Sequence, residues 1–261
     1  MESLKTSGYA PVNGISMYYE IYGEGAMPLV LIHGGGSTIE TTFGSLIPML
    51  VGCGKLIAVE LQAHGRTGDR DAPESFEQDA DDVAGLLKHL KIEKASFFGF
   101  SNGGTTVLQI AVRHPNIVNK IVVASGAYKR DGFITGFFDG FEGATLANMP
   151  AALQEAFLKV TPDKDRLQTM FEKDVARMKS FKDYPDELIE SIKVPALFMA
   201  ADHDVITVAH NVKMAQLIQG AQLAILPGLH GDYIGEAGSE KKDSKLPAIT
   251  ASLVEEFLKG M

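Results

Sequence analysis

Short apolar runs alternate with helix-like stretches along nearly the whole chain, and this alternation limits the fold more than any single motif. Residues 17–22 (MYYEIY) are aromatic and β-branched and end at the Gly23-Glu24-Gly25 turn. Residues 28–32, 56–59, 96–100, 121–124, 196–200 and 223–226 are near-continuous apolar runs of strand length. A strand covered on both faces has this composition, because neither face meets water. Helical spacing fills the intervals 42–50, 76–90, 105–113, 208–218 and 246–258. The succession predicts an α/β fold around a mainly parallel sheet.

The rhythm breaks once. Residues 128–193 hold no convincing strand but three helix-like stretches, at 150–160, 162–181 and 185–192. Thr161 is the expected N-cap of the second, with Pro162 at its first helical position. A helical insertion between two sheet strands is expected to pack over the strand ends as a cap. The expected division is a core of 1–127 and 194–261 with a cap of 128–193.

Composition excludes several classes of function. Of the 261 residues, 45% are hydrophobic and 22% charged, which is ordinary globular material with enough apolar side chain for a full core. Asp and Glu number 33 against 24 Lys and Arg, a net charge of −9. Without a basic cluster the chain is a poor partner for nucleic acid, and no polybasic stretch would hold it on an anionic membrane. Cys53 is the single cysteine, so no internal disulfide forms. Met1-Glu2-Ser3-Leu4-Lys5-Thr6 lacks the apolar centre of a signal peptide, and no apolar run reaches the ~18–20 residues of a membrane helix. The expectation is a cytoplasmic monomer or homodimer.

Chemistry enters with Gly99-Phe100-Ser101-Asn102-Gly103, a G-x-S-x-G pattern between a buried strand and an amphipathic stretch. A serine on a sharp strand-to-helix turn exposes its hydroxyl, and small neighbours let the backbone turn that tightly. The plainer alternative is a glycine-rich turn with a capping serine. His33-Gly34-Gly35-Gly36 follows the first central strand, where backbone N–H groups can face a reacting oxygen. The expected donors are the N–H groups of Gly35 and Asn102, with Gly36 as second choice. His33 is given no part in proton transfer.

A serine nucleophile needs a base, and the base an orienting acid. Among seven histidines, His230 lies in a loop directly after the last buried run and late in the chain, and is the expected base. Asp202 and Asp204 both follow the run ending at Ala200; Asp204 is the expected acid, with Asp202 shaping the turn. Ser125-Gly126-Ala127, after the preceding strand, offers no carboxylate.

Taken in order, His33-Gly34-Gly35, Gly99-Phe100-Ser101-Asn102-Gly103-Gly104, Asp202-His203-Asp204 and Leu229-His230-Gly231 resemble the α/β-hydrolase superfamily, in particular its esterase-like members with a helical cap. The likeness runs from Gly14 to Leu258. Residues 60–67 resemble the family loop that usually reads Asp-x-x-Gly-x-Gly-x-Ser, with Glu60, Ala63 and Thr67 departing from it; the loop is expected to be structural. Asn102 stands where methionine or glutamine is more frequent. The resemblance implies a mostly parallel eight-stranded sheet flanked by helices, with the cap inserted before the seventh strand. It also implies a cofactor-free, metal-free mechanism in which Ser101 attacks a carbonyl, His230 takes its proton and Asp204 holds the imidazole.

The substrate is expected to be a small, neutral, fairly hydrophobic ester or lactone. Phenylalanine and glycine crowd residues 133–141, which either line an acyl or aryl pocket or fasten the cap to the core. Met149, Met170 and Met178 add adaptable apolar surface. The same triad also suits a carbon–carbon bond hydrolase or a cofactor-free perhydrolase, and the fold alone would suit a ligand receptor.

Overall fold

The computed structural model describes residues 6–239 and 243–260. The expected absence of a leader at residues 1–5 lies outside them.

Among the described residues eight strands form one sheet: β1 (Thr6–Val12), β2 (Ile15–Tyr22), β3 (Leu29–Ile32), β4 (Leu56–Val59), β5 (Ala95–Phe100), β6 (Val118–Ala124), β7 (Ala196–His203) and β8 (Gln222–Leu229). Their order is β1-β2-β4-β3-β5-β6-β7-β8. The first two pairings, β1 with β2 and β2 with β4, are antiparallel, and all others are parallel. All the parallel strands therefore end on one side of the sheet.

Every residue of β3, β4 and β5 is buried, as their unbroken apolar runs require. Alternate side chains feed two cores. Val30, Ile32, Ile57, Val59 and Phe97 pack with Val83 and Leu86 of α3 (Phe76–His89) and Val107 and Ile110 of α4 (Asn102–Arg113). On the other face, Leu29, Leu31, Ala58 and Phe98 pack with Phe43, Leu50, Val254 and Phe257. These last belong to α1 (Ile39–Phe43), α2 (Ile47–Leu50) and α9 (Leu246–Lys259).

Local chemistry explains the departures from expectation. The apolar periodicity does not reveal β1, an edge strand that alternates exposure and carries Pro11. It pairs with β2 across Asn13-Gly14, both at positive φ. The stretch at 42–50 is two short helices, because Pro48 has no N–H to continue a helix and falls instead in the first turn of α2.

A helical insertion lies between β6 and β7, holding α5 (Ala151–Val160), α6 (Lys164–Lys179) and α7 (Asp186–Glu190). The N-cap of α6 is Asp163, not Thr161, and Pro162 lies outside the helix. The Asp163 carboxylate accepts from the N–H groups of both Asp165 and Arg166, and an anion there also suits the helix dipole. Thr161 instead donates to the Gly65 carbonyl, tying the insertion to the core. Helix α8 (Val208–Leu217) packs beside β7. Among the described residues no helix is long and apolar enough to cross a membrane.

Candidate active site

The site forms where β5, β7 and β8 end. Ser101 follows β5 directly, with φ 54° and ψ −119°, and is the N-cap residue of α4. Positive φ is costly for a residue with a side chain, so the surroundings must enforce it. They do so through two glycines. A Cβ on Gly99 would lie 2.0 Å from the Gly103 carbonyl oxygen, and one on Gly103 would lie 2.2 Å from that of Ile32. The turn can be this tight only because both side chains are missing.

His230 arrives on the loop after β8. Its Nε2 lies 3.1 Å from Ser101 Oγ, and its Nδ1 lies 2.6 Å from Asp204 Oδ1. With Asp204 ionised, Nδ1 carries the proton and donates to it, which leaves Nε2 free to accept from the serine hydroxyl. Asp204 is buried, which opposes its charge. The His230 imidazole, its bond to Asp204 and the Ser125 hydroxyl outweigh that and hold the carboxyl below its ordinary range. Burial opposes protonation of His230 as well, but the Asp204 charge and hydrogen bond raise its pKa above 6.5.

Asp204 spends both oxygens. Oδ1 also accepts from the Ile206 N–H, and Oδ2 accepts from Ser125 Oγ at 2.5 Å and the Ala201 N–H at 3.2 Å. Ser125 in turn lies 2.7 Å from the buried Tyr233 hydroxyl. Asp202 has different work: it accepts from the Gly228 N–H at 2.8 Å and so fixes the strand that leads to His230. The structure thus joins Ser101, His230 and Asp204 and keeps Asp202 outside the series.

Gly35 and Asn102 line the same cavity as Ser101 and His230. Asn102 is the first residue of α4, so its N–H has no partner within the helix. Gly36, the second choice of donor, has its N–H 2.5 Å from Asp174 Oδ2. His33 is fully buried, bonded through Nε2 to the Leu61 N–H and through Nδ1 to the Gly34 carbonyl; burial pushes its pKa down to about 3. It is a packed, neutral histidine.

The cavity holds about 280 Å³. Phe133, Phe137 and Phe141 line it, and they also pack against a cluster that includes Phe76 of α3, so residues 133–141 both wall a cavity and fasten the insertion to the core. Met149, Met170 and Met178 line it too.

Three groups in this region escape a reading by motif: Ser125, Asp174 and His64. Ser125 carries no charge to attract notice. Asp174 does carry a signal, since it stands one helical turn from Met170 and from Met178, a carboxylate on an apolar stripe. Two of the three departures in the loop after β4, Glu60 and Thr67, are compensated locally, whereas Ala63 takes the left-handed backbone, φ 61°, at the position where the family pattern has glycine. Glu60 accepts from the Arg66 N–H and guanidinium, and Thr67 Oγ1 donates to the Glu60 carbonyl. The same loop delivers His64, fully buried, to within 3.0 Å of Asp174 Oδ2.

Comparison with known proteins agrees with this architecture. A family model described as alpha/beta hydrolase fold matches residues 27–172. The human protein named Serine hydrolase BPHL is 29% identical over 246 residues, covering 88% of this chain and 81% of its own. Two solved structures superpose over almost the whole chain. The meta-cleavage product hydrolase of Pseudomonas fluorescens IP01 has a TM-score of 0.77 at 22% identity, covering 98% of this chain and 97% of that one. The enol-lactonase of Burkholderia xenovorans LB400 has a TM-score of 0.74 at 24% identity, covering 97% and 100%.

Proposed function

We propose what this chain does from one premise: it belongs to the α/β-hydrolase fold family. It is a serine hydrolase. Its substrate, in our reading, is a small, neutral, hydrophobic carboxylic ester or lactone. The observation that carries this is the continuous series Ser101 Oγ, His230 Nε2, His230 Nδ1, Asp204 Oδ1, opening on an apolar cavity.

The steps follow from the geometry. Ser101 Oγ attacks the ester carbonyl carbon while His230 Nε2 takes the hydroxyl proton. Asp204 holds the imidazole tautomer and stabilises the imidazolium. The carbonyl oxygen becomes an oxyanion beside the N–H groups of Gly35 and Asn102; one such donor is worth about 3–4 kcal/mol of barrier. His230 returns its proton to the leaving alkoxide, the alcohol departs and an acyl-serine remains. Water then attacks that acyl group by the same route, releasing the carboxylic acid and restoring the serine. Side chains, backbone N–H groups and water suffice for every step.

The lining argues for a neutral substrate. Among the described residues around the cavity, Asp174 and His230 are the ionisable ones, and no lysine or arginine lines it. A substrate carboxylate would lose its water there without gaining a cation, which is strongly unfavourable. The aromatic lining favours a flat or branched apolar group in the cavity. A p-nitrophenyl ester panel tests this. The expected result is a kcat/KM for neutral butyrate and phenylacetate esters at least about 100-fold above that for the anionic hemisuccinate. Equal or better turnover of the hemisuccinate would contradict the reading.

A further inference from the structure

Asp174 stands on α6, in the insertion, yet it binds next to both expected oxyanion donors, at the Gly36 N–H and at the Asn102 side chain. Its Oδ2 accepts the Gly36 N–H at 2.5 Å, and its Oδ1 lies 3.4 Å from Asn102 Nδ2. Two cations steady it. His64 Nε2 lies 3.0 Å from Oδ2, and the Arg177 guanidinium donates to Oδ1. Arg177 is itself buried and reaches Asp79 at 2.9 Å and Glu74 at 3.5 Å. This ionic cluster joins the insertion to α3 and to the loops after β3 and β4.

The loop it grips is the least self-sufficient part of the site. Gly34-Gly35-Gly36 has no side chains to fix its peptide planes, and Gly36 sits at φ +67°. An oxyanion donor works only if its direction is set before the reaction. The Gly35 N–H can hold its direction only if the next peptide is anchored, and the anchor is a charge-assisted bond from Gly36 to Asp174. Gly36 N also lies 3.3 Å from His64 Nε2. Burial disfavours charge on His64, but Asp174 raises its pKa to about 9, so this nitrogen carries a proton and cannot accept. The Gly36 N–H therefore belongs to the carboxylate. A bare carboxylate here would repel an oxyanion; His64 and Arg177 remove that penalty.

We propose that Asp174 is a positioning residue for the oxyanion site: by binding the Gly36 N–H and the Asn102 side chain, the insertion sets the donor geometry of the core. The proposal rests on the serine-hydrolase reading above.

Two measurements test it. The first uses the intact protein and a phenylethaneboronic acid, which forms a tetrahedral adduct on a reactive serine. In amide ¹H–¹⁵N spectra, Gly35 and Asn102 should shift on adduct formation. Gly36 should keep the far-downfield position of a charge-assisted bond in both states. A Gly36 amide in the ordinary range, or one that moves as far as that of Gly35, overturns the proposal.

The second works in an Arg177→Met background, where no lone guanidinium is left buried and Asp79 and Glu74 can take up protons. With His64→Leu added, so that no neutral imidazole is left 3.3 Å from Gly36 N to accept once the Asp174 charge is gone, Asp174→Asn keeps an acceptor for Gly36 and Asp174→Leu does not. The expected result is a kcat at least tenfold lower for Leu than for Asn, with KM within threefold and parallel loss of boronic acid affinity. Equal kcat values, or a loss confined to KM and thermal stability, would make Asp174 a mere tie between insertion and core and overturn the proposal. A fluorophosphonate control separates the two ideas. Labelling of Ser101 with kcat indifferent to Asp174 sinks this inference alone, whereas no labelling and no boronic acid adduct sink the hydrolase reading and this inference with it.

Discussion

Ser101 owes its position to side chains that are absent. The strained backbone at φ 54° persists because Gly99 and Gly103 let β5, α4 and β3 touch through bare backbone. Gly103→Ala should therefore cost about 3 kcal/mol or more of stability by denaturant unfolding, the upper end of overpacking penalties. A cost below about 1 kcal/mol would mean that the turn can relax. Asp204 and Asp202 stand two residues apart with separate tasks. Asp204→Asn should lower kcat about 10³–10⁴-fold, since the wrong imidazole tautomer then faces the serine. Asp202→Asn should cost less than about tenfold, because it loosens one turn bond at Gly228. Steady-state kinetics on both variants decide this, and equal losses would overturn the assignment. At this scale Ser101, His230 and Asp204 are legible in the sequence because their neighbours announce them: a glycine turn after an apolar run, or a loop after the last strand. Ser125 and Asp174 are not, because their importance lies in contacts with Asp204 and Gly36, 79 and 138 positions away.

Elements covered on both faces are the easiest to read. The central strands β3, β4 and β5 show as continuous apolar runs because two cores claim alternate side chains. The edge strand β1 is invisible to that signal, and the start of α6 is decided by whether a threonine or an aspartate caps it, which periodicity does not encode. How α6 is held has a measurable pH signature. His64 keeps its proton up to about 9 when folded, against an ordinary 6.5, so its contribution is full below 6.5 and is lost as pH rises through 9. Burial raises Glu74 to about 7 and Asp79 to about 6; these carboxyls hold protons that the unfolded chain has released, so they too weaken folding as pH rises. Asp174 runs the other way. Burial opposes its charge, but Arg177 and His64 hold its pKa below the usual carboxylate range, so its contribution fades only in strong acid. Thermal unfolding should show stability falling between pH 6.5 and 9. His64→Gln should remove on the order of 2 kcal/mol of that fall. An unchanged pH slope in His64→Gln would show that the imidazole is not charged against Asp174.

Across the whole molecule, three chemical groups far apart in sequence meet because parallel strands end on one side of one sheet. β5 delivers Ser101, β7 delivers Asp204 and the loop after β8 delivers His230. The insertion between β6 and β7 supplies much of the apolar wall facing them. The alternation of runs and helices makes the sheet and insertion readable, whereas the cavity's shape depends on how Phe133, Phe137 and Phe141 pack after folding, the first pair stacked and the second edge-on. In our proposal Ser101 is a nucleophile made reactive by His230. A fluorophosphonate, followed by intact-mass measurement and peptide mapping, tests it most directly. The expected result is a single covalent adduct on the Ser101 peptide, formed fast, absent in Ser101→Ala and slowed by about 10³-fold or more in His230→Gln. Ester hydrolysis that continues while Ser101 stays unmodified would contradict it.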